Sequence, residues 1–257
     1  MNPLSIILTL LILSILVVVH EFGHFIAARK IGVAVEEFSI GMGPALYKRQ
    51  GKETLFAIRI LLIGGYCKLR GEAEENDAET GGFDPNDQTN FLNKSKKERL
   101  LILVAGVMMN FIFGYLCLLI ALFMHGEGLK AFGEAFILSG NFGFAILDSL
   151  RMMITGEVGI DQVAGPIGMV TMVNDFVQQG IMTMLSFTAL ISINLGILNL
   201  LPLPALDGGQ ILIIIIEKII KRDIPREKTG LINFIGFALL MIFAIIVAFH
   251  DILRLAA

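Results

Sequence analysis

The stretch from Pro3 to Ala28, PLSIILTLLILSILVVVHEFGHFIAA, decides the fold of this chain. It carries no charged residue before Glu21, and an apolar run of this length spans a membrane as a helix. Three ionisable side chains nevertheless lie in it, those of His20, Glu21 and His24. Because ionisable groups are costly at membrane depth, they indicate a functional site.

These three residues form the pattern H-E-x-x-H. His20 and His24 are four residues apart, so they share one helix face and both imidazoles can reach one ion. Glu21 stands beside that ion, where a bound water would lie, and this is the layout of a zinc hydrolase. The alternative is a structural role in which each imidazole bonds to a neighbouring carbonyl. The membrane location favours the metal site.

The composition indicates an α-helical polytopic membrane protein. The chain has 257 residues, of which 55% are hydrophobic, and its mean hydropathy is +0.78. Its net charge of −3 gives no indication of nucleic-acid binding, and we expect no nucleic-acid partner. Length and hydropathy predict about four transmembrane helices, at about 3–28, 100–124, 181–201 and 231–250.

The basic residues predict the orientation in the membrane. Residues 29–99 hold twelve Lys and Arg and residues 217–228 hold five, whereas 125–180 holds only Lys130 and Arg151. The positive-inside rule places the first two stretches in the cytoplasm. We therefore expect a multi-pass protein of the plasma (inner) membrane with both termini outside.

Two further elements are predicted between the spans. Residues 54–70 are apolar and β-branched, with Gly64 and Gly65 in the middle, which favours a membrane-associated β-hairpin or sheet element. Apolar residues recur at helical spacing in 135–154, which favours an interfacial amphipathic helix. An ordinary helix packed in an external loop fits that stretch about equally well. Residues 71–98 are polar and predict a flexible surface segment.

A third metal ligand is predicted at Asp207, in the run NLLPLPALDGG that begins at Asn199. Pro202 and Pro204 end the preceding span as a regular helix, and irregular backbone at membrane depth is tolerated only where protein or a cavity covers it. Taken alone, the run would be an ordinary turn. Paired with the H-E-x-x-H pattern, it predicts a site for one zinc ion with an open position.

Together these motifs resemble the site-2 protease family of intramembrane zinc metalloproteases, in particular its bacterial branch that cleaves anti-sigma factors. Four shorter stretches add to the resemblance, which covers nearly the whole chain: Gly41-Met42-Gly43-Pro44, Gly64-Gly65-Tyr66, Ala164-Gly165-Pro166-Ile167-Gly168 and Ile193-Asn194-Leu195-Gly196.

The resemblance implies a single intramembrane metalloprotease domain over 1–257. It implies that His20, His24 and Asp207 hold zinc and that Glu21 is the general base. It also implies that the β element lies beside the active site, and the candidate substrate-binding residues are Asn199, Gly64, Gly65 and Pro202. A purely structural packing role for these strands remains the alternative.

The expected substrates are single-span membrane proteins that have been trimmed beforehand and are cut in the bilayer near the cytoplasm. Members of the bacterial branch usually carry PDZ domains between the second and third spans, and here the connector after Met124 leaves no room for one. The alternative function is a zinc-binding membrane transporter or sensor. A transporter typically shows internal repeats, and none is evident here. The sequence gives no indication of oligomeric state.

Overall fold

A computed structural model describes residues 2–72, 86–159 and 165–256 of the chain. It contains seven α-helices and two strands within these ranges. In chain order they are α1 (Pro3–Ile31), β1 (Val35–Gln50), β2 (Leu55–Leu69), α2 (Lys96–His125), α3 (Ala131–Thr155), α4 (Pro166–Gln179), α5 (Ile181–Leu200), α6 (Asp207–Ile220) and α7 (Arg226–Ala256).

The fold class predicted from the sequence is confirmed. The four predicted spans coincide closely with α1, α2, α5 and α7. A fifth helical stretch, Gly128–Thr155, is also long and apolar enough to cross a membrane by length and composition. It contains the segment 135–154, so the interfacial position of that segment stays a prediction. Residues 73–85 of the predicted flexible surface segment 71–98 lie outside the described residues. In its described part Asn90 and Phe91 are buried and α2 begins at Lys96, so this part is not a surface segment throughout.

Local sequence explains where these helices begin and end. Ser95 and Glu98 form a capping box at the start of α2, since the Ser95 N–H and hydroxyl both donate to the Glu98 carboxylate, at 2.9 and 2.6 Å. Gly156 ends α3 in the left-handed conformation, with φ of 78°. α5 ends at Leu200, two residues before Pro202, which cannot continue a helix.

The chain divides into two compact units. One comprises 1–12, 110–198 and 237–257, and the other comprises 13–109 and 199–236. The second unit contains every candidate site residue. Its core is a cluster of buried apolar side chains from α1, the link between α1 and β1, both strands, the turn after β2, α2 and α6: Ala28, Val33, Val35, Leu69, Phe91, Ile102, Leu103 and Ile214.

The β element is larger than the sequence predicted. The prediction placed it within 54–70, whereas β2 pairs antiparallel with β1, a partner upstream. Residues 37–40 of β1 have partners both in 55–58 and in 65–68 of β2, because each strand bends where glycine has positive φ. These bends are at Gly41 (84°) and Gly64 (79°).

In the first unit, a buried aspartate in α7 caps the start of α4. The Asp251 carboxylate accepts hydrogen bonds from the N–H groups of Gly165 and Gly168, at 3.2 and 2.9 Å. A Cβ atom at Gly165 would lie 2.6 Å from this carboxylate, so only glycine allows the approach. Asp251 is 2% exposed, and its carboxylate satisfies two N–H groups that the start of α4 would otherwise leave without an acceptor.

Replacing this cap is expected to destabilise the protein. Asp251→Ala leaves two N–H groups without their acceptor, which should lower the free energy of unfolding by about 1–3 kcal/mol. Asp148→Ala is the matched control, since Asp148 is exposed and pairs only with Arg151 on its own helix. Thermal unfolding in detergent measures both. Equal melting temperatures for the two variants would contradict the capping role.

Candidate metal centre

His20 and His24 lie on one face of α1 and are 7% and 8% exposed. Their rings meet edge to face, with centroids 4.8 Å apart. The two Nε2 atoms are 3.2 Å from each other. The helical spacing that the sequence predicted therefore brings both imidazoles to one point, inside a helix long and apolar enough to span a membrane.

Asp207 reaches the same point from α6. Its Oδ2 atom lies 3.1 Å from Nε2 of His20 and 3.4 Å from Nε2 of His24. The residue begins α6 after an irregular turn over 201–206, in which Ala205 has a φ of 71°. Such a conformation is strained for a residue with a Cβ, and strain of this kind is typical of functional sites.

These donors fit a zinc ion. Three ligand atoms at about 2.0–2.1 Å around a tetrahedral zinc are about 3.3 Å from one another. The separations here are 3.2, 3.1 and 3.4 Å, so the atoms form one face of such a tetrahedron. Two imidazoles and one carboxylate are also a ligand set used by catalytic zinc sites, in which a fourth position stays open.

A backbone carbonyl on α2 fixes the orientation of His24. Nδ1 of His24 lies 2.9 Å from the carbonyl oxygen of Ile102. Since a carbonyl only accepts hydrogen bonds, Nδ1 carries the proton. Nε2 is then free of a proton, and its lone pair is available to a metal ion held between the three ligand atoms. Glycines allow α1 and α2 to approach closely here. A Cβ at Gly106 would lie 2.3 Å from His24 Nε2, and one at Gly23 would lie 2.3 Å from the Ala105 carbonyl oxygen.

Glu21 stands beside the three donors. Its carboxylate interacts electrostatically with His20, His24 and Asp207. It also accepts a hydrogen bond from the backbone N–H of Cys67 in β2. The sheet therefore orients the carboxylate that the sequence predicted as general base. The sequence did not reveal this contact between Cys67 and Glu21.

The four predicted substrate-binding residues have different positions. Asn199 lies at the centre, with its Nδ2 3.4 Å from Nε2 of His20. Gly64 and Gly65 lie in β2, two to three residues before Cys67, and a Cβ at Gly65 would be 2.6 Å from the Ser39 carbonyl oxygen. Pro202 lies in the turn between α5 and α6 with an exposed ring.

Sequence reasoning missed a second acidic residue near the centre. Glu72, just after β2, is hydrogen-bonded to Gln210 of α6 and interacts electrostatically with His24, Glu21 and Asp207. Partial desolvation by the surrounding protein raises the pKa of Glu72 to about 7. Gln210 lies three residues after Asp207 on the same helix face. This spacing was the one signal in the sequence that polar residues other than Asp207 face the candidate centre.

Glu72 and Gln210 line a cavity of about 240 Å³ in the second unit. Its other polar walls include Arg99, Glu217 and Asn233. Water can therefore occupy polar space close to the candidate centre.

The helices and the centre together define a membrane-embedded metallohydrolase. The chain matches the model of peptidase family M50 over residues 8–243, and it belongs to this family, the site-2 proteases. It is therefore a zinc-dependent intramembrane metalloendopeptidase, and a multi-pass membrane protein that acts on a protein substrate.

Several bacterial proteins are similar to this chain. Zinc metalloprotease RasP of Shouchella clausii is 26% identical over 407 aligned positions, which cover 95% of this chain and 97% of that protein. RasP of Oceanobacillus iheyensis is 24% identical, with 96% and 98% covered. A protein of Clostridium acetobutylicum, also described by its name as a zinc metalloprotease, is 29% identical, with 98% of each covered. The alignments exceed 257 positions, so the relatives carry segments without a counterpart here.

The close approach at Gly106 makes a testable prediction. Gly106→Ala places a methyl group 2.3 Å from His24 Nε2, so the imidazole must move and zinc affinity should fall at least tenfold. Gly140→Ala is the control, since a Cβ there meets nothing within 4 Å. Zinc titration of the two purified variants measures the effect. Equal affinities would show that His24 is not held as described.

Proposed function

We propose that this enzyme cuts the transmembrane segments of single-span proteins whose external domains have already been shortened. In this proposal His20, His24 and Asp207 hold the zinc ion and Glu21 is the general base. The observation that carries it is the triangle of three donor atoms, with sides of 3.1–3.4 Å, beside a carboxylate on the same helix. No transporter or sensor needs a carboxylate between the two histidines.

The residues divide the chemistry of hydrolysis between them. Zinc, when bound, activates water and polarises the scissile carbonyl. Glu21 takes a proton from the attacking water and passes it to the peptide nitrogen as the C–N bond breaks. The products are a carboxylate and an amine. Asn199, beside His20, donates a side-chain N–H to the substrate backbone or to the oxygen that develops negative charge.

A substrate helix hides its carbonyl groups in i to i−4 hydrogen bonds, so it must unwind before it is cut. We propose that the outer edge of β2 holds the unwound strand. Cys67 donates its N–H to Glu21 of α1. Because backbone groups alternate along a strand, Gly65 presents its own N–H and carbonyl on the same side. A strand added there would lie next to the base.

The site faces the cytoplasm in this proposal. Two contacts support placing the basic stretches 29–99 and 217–228 on the same side of the membrane. Nζ of Lys96 lies 2.9 Å from the Asp223 carboxylate and 3.7 Å from that of Glu217. The start of α2 and the end of α6 therefore lie at the same level, which fits an even number of crossings between them. His24 is seven residues before the end of α1, or about 10 Å along the helix. This depth favours cuts in the cytoplasmic third of the substrate span.

Metal content and cleavage test the residue roles. Wild-type protein should bind about one zinc ion, and His20→Ala and Asp207→Ala should bind little, since two ligands hold zinc weakly. Glu21→Gln should retain zinc and lose cleavage by a factor of about 10² or more. Elemental analysis gives the zinc content, and mass spectrometry of a cleaved single-span substrate gives the cut positions. Full zinc in both alanine variants, or cuts only in soluble loops, would refute the proposal.

Cysteine labelling tests the orientation. In a background without Cys67 and Cys117, Asp223→Cys should react with a membrane-impermeant thiol reagent only from the cytoplasmic side, and His125→Cys only from outside. Both positions are exposed and lie in the basic and basic-poor stretches, respectively. The reverse labelling pattern would place the active site toward the other face.

A further inference from the structure

One face of α1 holds the bent part of β2 at two points. Ser14 donates its hydroxyl hydrogen bond to the Leu62 carbonyl, and Glu21 accepts one from the Cys67 N–H. Ser14 and Glu21 are seven residues apart, which is about two helical turns and about 10 Å on a single face. The β2 residues between these contacts include Gly64 and Gly65.

The Ser14 contact is unusual for a hydroxyl in an apolar helix. Such hydroxyls commonly bond to a carbonyl of their own helix, as Thr9 does to Ser5 at 2.7 Å. Ser14 is 6% exposed and instead donates across to another element. Without the Ser14 hydroxyl, the Leu62 carbonyl would lose this hydrogen bond.

The bend between the two contacts needs such restraint. Gly64 has φ of 79°, and two consecutive glycines give this stretch more conformational freedom than any other part of β2. A strand slipped by one residue presents the opposite set of backbone groups. The Cys67 contact alone fixes one end, and the Ser14 contact fixes the other.

We infer that Ser14 is a positioning residue that sets the register of the β2 edge relative to Glu21. It thereby selects which peptide bond of the added substrate strand faces the base. The inference rests on the proposed use of this edge by the substrate. Ser14 touches neither substrate nor metal, so it acts through the backbone of 62–67.

Two isosteric variants isolate the hydroxyl. Ser14→Thr keeps the donor and Ser14→Val removes it, while both add the same bulk to α1. Thr9→Val is the matched control, because it removes a buried hydroxyl of α1 that bonds only within the helix. All variants should retain zinc, since no ligand is changed.

Two measurements are made on each variant. In Ser14→Val, backbone amides of 62–68 should exchange hydrogen at least tenfold faster than in Ser14→Thr, while exchange elsewhere is unchanged. With a single-span substrate, Ser14→Val should spread cleavage over neighbouring bonds and lower kcat/KM about tenfold, because small misplacements cost that much or more. Thr9→Val should behave as wild type in both.

The outcomes separate this inference from the proposed function. Equal exchange in the two Ser14 variants overturns the register contact, and this measurement needs no substrate. Faster exchange with an unchanged cleavage pattern overturns the role of Ser14 in selecting the bond. A wild-type enzyme that cuts no single-span substrate refutes the proposed function, whereas the exchange result still decides whether Ser14 holds β2. If Ser14→Val does not fold, Ser14→Ala replaces it in both measurements.

Discussion

The structure depends on holding two imidazoles and a carboxylate together within an apolar helical protein. The three donor atoms are 3.1–3.4 Å apart, and two of them are imidazole nitrogen atoms. Such crowding of buried polar groups suits a bound cation, which all three atoms can contact at once. The neighbouring backbone accordingly approaches unusually closely: α1 meets α2 at Gly23 and Gly106, where any Cβ would collide.

The third donor requires an interruption in the helices. A continuous α5 would carry Asp207 past the site, so the chain turns over 201–206 and starts α6 at that residue. Irregular backbone at this depth needs protein or a cavity to satisfy its polar groups. Gly208 and Gly209 allow it, because a Cβ on either would lie 2.2 Å from the carbonyl oxygens of Leu201 or Leu203. The close approach of these carbonyl oxygens therefore explains the two glycines after Asp207 better than turn propensity alone.

The sequence predicted what depends on periodicity and chemistry, and missed what depends on tertiary contacts. His20 and His24 follow from helical spacing, and Asp207 from the need for a third ligand. β1 was missed, because Gly41 bends it and breaks the alternation of its side chains. The cap from Asp251 joins residues more than 80 positions apart along the chain. No local pattern signals a contact of that kind.

The sheet links the membrane problem to the chemistry. A peptide bond in a transmembrane helix is protected by its own hydrogen bonds, and exposing it in lipid costs several kcal/mol for each unsatisfied group. A strand edge offers replacement partners for those groups. In this protein the edge is joined to Glu21, the proposed base, since Cys67 donates to Glu21 from the same strand that carries the glycine bend. Moving the edge would therefore also disturb Glu21, so in the proposed mechanism substrate alignment and proton transfer depend on the same contact with α1.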